Sequence, residues 1–566
     1  MKFRRIAQAA TLAVFLLTLA LSGLIAAPDL FLRMDPALTG SAALAGRILA
    51  WAFVPAVLVV VSALLFGRIF CGYICPMGTT LDVSDACLSG GKKKENASYR
   101  VLRRLKYYIL AFAAGSAAAG VMFVFWAAPL SLITRFYGLV IYPALLLVAE
   151  LAVSALYPLA SFLDIRTLMF AEVPEPRYAT QIFVLLFFVA LFAASRISSR
   201  FWCRYICPSG ALLAMASVKP AVRRRVGPEC NSCGLCVKNC PMDAIYEDSP
   251  EHSRHSECIA CLTCVRICPQ KAVRFAYGPG ENEQSRPGQV SQARRRFLAW
   301  GLAGAGTAAV SLTGLSVVAE DESEKGVVRP ARMIRPPGAV PEPAFLAACV
   351  RCGQCMAACP TNTLQPIWFE AGLLAVFSPV VTPRRRYCDP ECTVCGRVCP
   401  TGAITEISPR QRQWAKIGTA VIYRQKCLAW EYDKSCMVCD EVCPYGAVEF
   451  ERRPGFTYPV PHVVEHRCSG CGHCEHACPV YNKAAIVVTP MESLRLEAGR
   501  SYQQEARSRG FDLRMEKKGG PAQAPRPSLQ RQQAPEPGPE ENGDLPPGFD
   551  QGGGGSSGAG GISADD

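Results

Sequence analysis

Six groups of four cysteines, each closing on a Cys-Pro pair, set the chemistry open to this chain. They are Cys230, Cys233, Cys236 and Cys240; Cys258, Cys261, Cys264 and Cys268; Cys349, Cys352, Cys355 and Cys359; Cys388, Cys392, Cys395 and Cys399; Cys427, Cys436, Cys439 and Cys443; and Cys468, Cys471, Cys474 and Cys478. Three thiolates on short spacers wrap one face of a [4Fe–4S] cubane, and in two-cluster ferredoxins the fourth, ahead of proline, serves the neighbouring cubane. Zinc knuckles use two separated pairs, and disulfide frameworks belong to short secreted chains, so neither explains six repeats. The pattern predicts six [4Fe–4S] clusters and one-electron chemistry. For the first two groups it predicts that Cys230, Cys233 and Cys236 share a cubane with Cys268, and Cys258, Cys261 and Cys264 share one with Cys240.

Five of the 29 cysteines lie outside these groups. Four belong to a duplicated segment: Arg68-Ile-Phe-Cys71-Gly-Tyr-Ile-Cys75-Pro76 matches Arg200-Phe-Trp-Cys203-Arg-Tyr-Ile-Cys207-Pro208. At i, i+4 two sulfurs share one helical face. Cys71, Cys75, Cys203 and Cys207 are therefore candidate redox thiols: together a four-thiolate site for an additional metal or cluster, or two dithiol–disulfide pairs. Packing is the alternative for small apolar-helix cysteines, but the duplication favours function. Cys87 stands alone and is read as structural.

Other cofactors are poorly served. All six histidines follow position 251 and no Cys-x2-Cys-His occurs, which leaves no membrane-embedded bis-histidine haem and no c-type haem attachment. His473 and His476, inside the last cysteine group, are expected to face solvent. No phosphate-binding glycine loop sits where a strand would turn into a helix, so no flavin or nicotinamide domain is expected.

At 566 residues several modules are needed to position these sites. Four apolar stretches, 6–27, 48–66, 107–128 and 178–195, are long enough to cross a bilayer. Lys2, Arg4 and Arg5, the basic run 92–106 and Arg196–Arg225 place their flanks on the cytoplasmic side. A fifth apolar run, 138–162 with Glu150 inside it, would invert that order if it crossed, and is read as re-entrant or interfacial. The net charge of +14 is spread over loops and tail with no aromatic interleaving, which argues against a nucleic-acid partner.

The expected organisation follows. Residues 1–215 form an α-helical membrane domain with both Cys-x3-Cys-Pro motifs, and 225–277 a cytoplasmic two-cluster domain of α+β bacterial-ferredoxin type. A linker spans 278–293. Arg294-Arg-Arg-Phe-Leu opens 294–319, a Tat-like signal or fifth transmembrane anchor. A second linker, 320–345, leads to a four-cluster polyferredoxin domain over 346–490 on the periplasmic side. Residues 499–566, rich in Gln, Pro, Gly and Ser, are expected to be disordered.

Residues 1–275, with the paired Cys-x3-Cys-Pro motifs ahead of two cluster groups, resemble the NapH/MauN-type membrane ferredoxins. Residues 294–490 resemble the NapG/MauM-type periplasmic polyferredoxins, on the strength of Arg-Arg-Arg-Phe-Leu, Arg335-Pro-Pro-Gly-Ala, Phe345-Leu-Ala-Ala-Cys-Val-Arg-Cys-Gly-Gln-Cys355 and Cys359-Pro-Thr-Asn-Thr-Leu. The departure is that two usually separate subunits are joined here. The resemblance implies a bacterial inner-membrane protein, either a quinol dehydrogenase component or an electron carrier. It would take electrons from the quinone pool and pass them to a periplasmic reductase or c-type cytochrome. A redox maturation factor for a periplasmic metalloenzyme is the alternative. Resemblance to four-cluster subunits also favours pairing Cys349, Cys352 and Cys355 with Cys478, and Cys468, Cys471 and Cys474 with Cys359; sequential pairing is the other arrangement. About 30 Å of hydrocarbon is expected to separate the cytoplasmic clusters from the outer ones.

Overall fold

Apolar helices dominate the first third of the chain, and small cysteine-rich sheet modules the rest. The computed structural model describes residues 2–22, 29–47, 53–88, 102–162, 176–277, 298–307, 309, 333–369, 372 and 374–515. Among the described residues two helices are long and apolar enough to cross a membrane: Phe3–Ala20, within the helix Lys2–Ala20, and Pro129–Pro158. Two more, Val54–Phe66 and Gln181–Arg196, are apolar but shorter.

This corrects the expected set of four spans. The stretch 107–128 does not run through: its helix, Leu105–Ala118, stops at Gly120 (φ +86°), where Val121 N–H reaches back to Ser116 O at 2.9 Å. A left-handed glycine with such a reverse bond is a helix stop that a side chain would resist. Conversely, the run 138–162 belongs to a helix long and apolar enough to cross a membrane. It continues from Pro129 as one helix, and a π turn over Tyr137–Ile141 precedes Pro143, whose missing N–H would otherwise break the ladder. Glu150 lies on this helix, half-buried.

Segment 29–47, given no role above, lies in the helical core. The helix Pro36–Gly46 is capped by Asp35, whose Oδ1 accepts the N–H groups of Ala37 and Leu38 at 3.2 Å. It packs on Leu105–Ala118 and on Pro208–Ala216.

Each cysteine-rich module closes by pairing its own two ends. Val222–Val226 pairs antiparallel with Val273–Tyr277, Val222 opposite Tyr277. Thr419–Ile422 pairs with Ile486–Thr489 around the last two cysteine groups. Around the third and fourth groups, closure is a bridge between Ala339 and Ile404, extended by Thr405 N–H to Gly338 O at 2.8 Å.

The boundaries expected for the outer domain also shift. Residues 333–345, expected as linker, are structural: Arg335 is buried, paired with Glu342 at 2.6 Å and stacked over Phe345. The expected disordered tail begins too early at 499. Ser501 caps a helix, Tyr502–Ser508, and Tyr502, Ala506 and Leu513 are buried against the outer domain. Residues 516–566, the whole 278–293 linker and much of the 294–319 segment lie outside the described residues.

Candidate electron-transfer sites

Module closure decides which cysteines meet. Cys240 lines one cavity with Cys258, Cys261 and Cys264. The other half of that unit brings the helix Leu235–Lys238, carrying Cys236, against Thr263–Ile267, which leads into Cys268. In the outer domain Cys359 shares a cavity with Cys388, Cys392 and Cys395, and Cys399 lies within electrostatic reach of Cys349, Cys352 and Cys355. Cys478 joins Cys427, Cys436 and Cys439; Cys443 joins Cys468, Cys471 and Cys474. The favoured first-with-fourth pairing is therefore wrong. The arrangement is sequential, because the 339–404 and 419–489 units each close on themselves and exchange fourth cysteines only internally.

The surroundings fit thiolate-bound clusters. Backbone N–H groups aim at the fourth cysteines: Ala244 at Cys240 Sγ (3.3 Å), Ile404 at Cys399 (3.4 Å), Ala447 at Cys443 (3.3 Å) and Ala485 at Cys478 (3.4 Å). Such donors favour the charged sulfur. Arg412 donates to Cys388 Sγ at 3.2 Å. Burial nevertheless pushes the metal-free thiols of Cys388 and Cys471 up, to about 11 and about 12. Cluster binding must therefore displace protons from them. Two glycines show how tightly the last loop is drawn: Gly470 (φ +77°) and Gly472 (φ +86°), where added Cβ atoms would come within 2.5 Å of Gly418 N and of Pro383 Cβ. His473, expected in solvent, instead stacks on Tyr387 at 3.8 Å, with Nδ1 3.3 Å from Cys471 Sγ.

The duplicated motifs meet. Cys71, Cys75, Cys203 and Cys207 are all buried in the helical core, within electrostatic reach of one another. Each motif sends its arginine to the other: Arg200 Nη1 donates to Cys71 O at 2.9 Å, and Arg68 Nη2 to Cys203 O at 3.4 Å. Both arginines are wholly buried. Arg200 is neutralised by Asp82 (2.6 Å), and Arg68 by Glu257 (2.9 Å), which Lys106 also pairs (2.5 Å). Burial alone would raise the Glu257 carboxyl; Arg68 and Lys106 outweigh it and hold it below the usual range. Sequence reasoning missed Arg68, Lys106, Asp82 and Glu257, although both arginines lie inside the repeat it had found.

The two sets of modules dock on this core from opposite ends. Arg68 N–H donates to Cys258 O (3.3 Å) and Tyr73 Oη to Ala260 O (3.0 Å), while a Cβ on Gly72 would meet Ile259 O at 2.6 Å. At the other end Ser131 Oγ donates to Val350 O (3.0 Å), Arg351 to Met122 O (3.3 Å) and Tyr178 Oη to Met356 O (3.1 Å). The first helix measures the interval. Gln8 and Thr11 bond Gly72 and Tyr73, whereas Leu19 lies beside Gly138 and Ala357. At 1.5 Å per residue the motif-bearing turn and the outer module are about 12–17 Å apart along that axis. Because the first ferredoxin unit sits directly on that turn, the interval between the two regions along this helix is about half the expected 30 Å.

Next to Cys261 a cleft of about 1400 Å³ opens between the first helix, the helix Pro76–Leu88 and the first ferredoxin unit, lined by Arg4, Asp82, Asp85, Cys87 and Arg266 among others. Burial, chiefly, raises Asp85 to about 6, against a hydrogen bond from Arg200 N–H. Cys87, read as structural, is exposed here.

Comparison with known proteins agrees with these modules. A family described as a 4Fe-4S binding domain matches residues 48–95, 180–228 and 393–416. Two families described as 4Fe-4S dicluster domains match 229–273 and 257–364, and 434–482. The chain is 39% identical over 209 residues to the methylamine utilization ferredoxin-type protein MauM of Methylorubrum extorquens, covering 36% of this chain and 91% of that protein. It is 36% identical over 227 residues to the ferredoxin-type protein NapG of Escherichia coli, covering 38% and 94%. MauM of Paracoccus denitrificans is 39% identical over 168 residues, covering 29% and 73%.

Proposed function

Since the chain belongs to the family of ferredoxin-type iron–sulfur electron-transfer proteins that includes MauM and NapG, we propose that it carries electrons from membrane quinol, through six [4Fe–4S] clusters, to a periplasmic reductase. The observation that carries this reading is the docking of two cluster-bearing regions on opposite ends of one apolar helical body. The clusters supply reversible one-electron storage; the chain positions them and shields them from water. Exposed Val57, Leu58, Leu145, Val148, Leu151, Ile182 and Leu186 on the apolar helices support a lipid-facing girdle. The basic flanks near Arg4 support a cytoplasmic first unit.

The cleft beside Cys261 supports a place for the quinol headgroup. Oxidation of a quinol releases two electrons and two protons. The cluster that Cys261 would help hold is the nearest one-electron acceptor, so the electrons would leave in two successive steps. Asp85, whose Oδ1 has no hydrogen-bond partner among the described residues, is placed to take one proton, and water in the open cleft the other. The segment opened by Arg294–Arg296 is read as a retained anchor. Residues 298–307 pack so closely on Leu105–Ala118 that a Cβ on Gly304 would meet Phe112 O at 2.2 Å, and Trp300 stacks on Tyr108. Small residues at such contacts suit helix association in lipid.

A maturation factor for a periplasmic metalloenzyme is the second reading, favoured by the buried thiol quartet if it cycles between dithiol and disulfide. Anaerobic EPR of membranes containing the full chain, before and after a menaquinol analogue, separates the two. Rapid appearance of reduced-cluster signals supports the respiratory reading. Clusters that stay oxidised with quinol, yet reduce with dithionite, overturn it in favour of assembly.

A further inference from the structure

We propose that Cys71, Cys75, Cys203 and Cys207 together bind one iron–sulfur centre, a seventh redox site lying between the two ferredoxin regions. Each matched 4Fe-4S segment around these motifs contains only two of the four thiols, so neither can ligate a cluster alone. The fold supplies the missing pair by bringing the motifs face to face. All four cysteines are less than 10% exposed and belong to one core that also holds Cys240, Cys258, Cys261 and Cys352.

The charge around the quartet suits bound thiolates better than free thiols. Arg68 and Arg200 lie within electrostatic reach of the sulfurs, each crossing to the opposite motif. Asp82 and Glu257 pair these guanidinium groups, and cluster-bound thiolates would give each a second anionic neighbour. Four thiolates on an oxidised cluster leave a net negative centre that two arginines and two helix N-termini complement. Those N-termini begin at Pro76 and Pro208, directly after Cys75 and Cys207, on helices of 13 and 9 residues. Gly210 N–H donates to Cys207 Sγ at 3.1 Å, and the corresponding Gly78 N–H serves Cys75.

Both copies also place a glycine third after the second cysteine. A Cβ on Gly210 would come 2.6 Å from Arg68 Nη2 and 3.3 Å from Cys207 Sγ; on Gly78 it would come 2.6 Å from Cys71 O. The repeat thus extends beyond its cysteines to the residues that leave room for the crossed arginines. Binding of the centre stands on this geometry alone; its role as relay rests on the electron-transfer reading. In that role a reduced cluster of one region loses one electron, the centre gains it, and the centre is reoxidised by a cluster of the other region, with no bond made or broken in a substrate.

The test uses the full chain, purified anaerobically in detergent with ⁵⁷Fe, as wild type, Cys71→Ser and Cys203→Ser. Iron and zinc analysis and Mössbauer spectra are expected to show the same iron component missing from both variants, while the dithionite-reduced EPR of the ferredoxin clusters is retained. In the wild type, all four thiols should resist alkylation until acid releases the metal. Iron content unchanged in both variants overturns the proposal, as does zinc in place of iron at the site. Should a variant fail to assemble, the wild-type alkylation decides: disulfides, or four freely alkylated thiols, in the native protein overturn it. Neither readout involves quinol, so absence of quinol oxidation leaves this test intact.

Discussion

At the residue scale, the buried charges make the sharpest demands. Glu257 pairs with both Arg68 and Lys106 in the interior. Removing one partner of a buried ionic group leaves uncompensated charge and costs roughly 3–5 kcal/mol. Glu257→Gln should therefore lower the thermal stability of the detergent-solubilised protein far more than Glu451→Gln, an exposed pair with Arg453, as followed by loss of cluster absorbance on heating. Asp85 makes a different prediction. Its folded value of about 6 lies above its ordinary 3.8, so the protonated form is the one the fold favours. That contribution to stability is full below the ordinary value and is lost as pH rises through about 6. As a proton acceptor Asp85 must be ionised, so quinol-driven cluster reduction should rise with pH through about 6, and Asp85→Asn should flatten that limb. A profile identical in the variant would remove Asp85 from the proton path.

Elements show where the sequence was readable and where it was not. All six cysteine groups could be read because liganding fixes residue type and spacing together, and the repeat around Cys71 and Cys203 could be read for the same reason. Helix lengths could not. The stretch 107–128 is apolar throughout, yet Gly120 ends its helix; 138–162 reads as a separate re-entrant or interfacial run, yet a π turn joins it to the helix that begins at Pro129. Segment 29–47 carries no motif, and its burial depends on partners far along the chain, such as Ser209, whose hydroxyl bonds Asp35. The cysteine pairing in the outer domain failed for a topological reason: which strand ends meet is set by long-range closure that ligand spacing does not encode. Gly72→Val should test the docking of the first unit, since its side chain would collide with Ile259 O. Limited proteolysis should then cut the 225–277 unit from membranes that leave the wild type intact. Gly304→Leu should likewise separate 298–307 from Leu105–Ala118, measured as loss of an engineered disulfide between the two segments.

For the whole molecule, joining two regions in one chain fixes their ratio but is not what holds them together. Ser131, Arg351 and Tyr178 bind the outer region to the helical core by side-chain contacts that do not depend on chain continuity. A protease site placed within 320–330 should therefore give two fragments that co-purify after cleavage, with the cluster EPR of the uncut protein. Fragments that part in mild detergent would show that the linker, not the interface, maintains the assembly.

The crossed arginines also impose an order on biosynthesis. Arg68 is translated 189 residues ahead of Glu257, a delay of roughly 10–40 s at ordinary elongation rates. Throughout that interval the first motif has its cation but not its counter-ion, and Cys71 and Cys75 lack Cys203 and Cys207 until the second motif is made. The nascent membrane segment must therefore wait, incomplete, for the ferredoxin unit to emerge and fold. Failure to load clusters at 230–268 would be felt in the helical core as an Arg68 without Glu257, giving quality-control proteases a direct way to recognise a chain starved of iron.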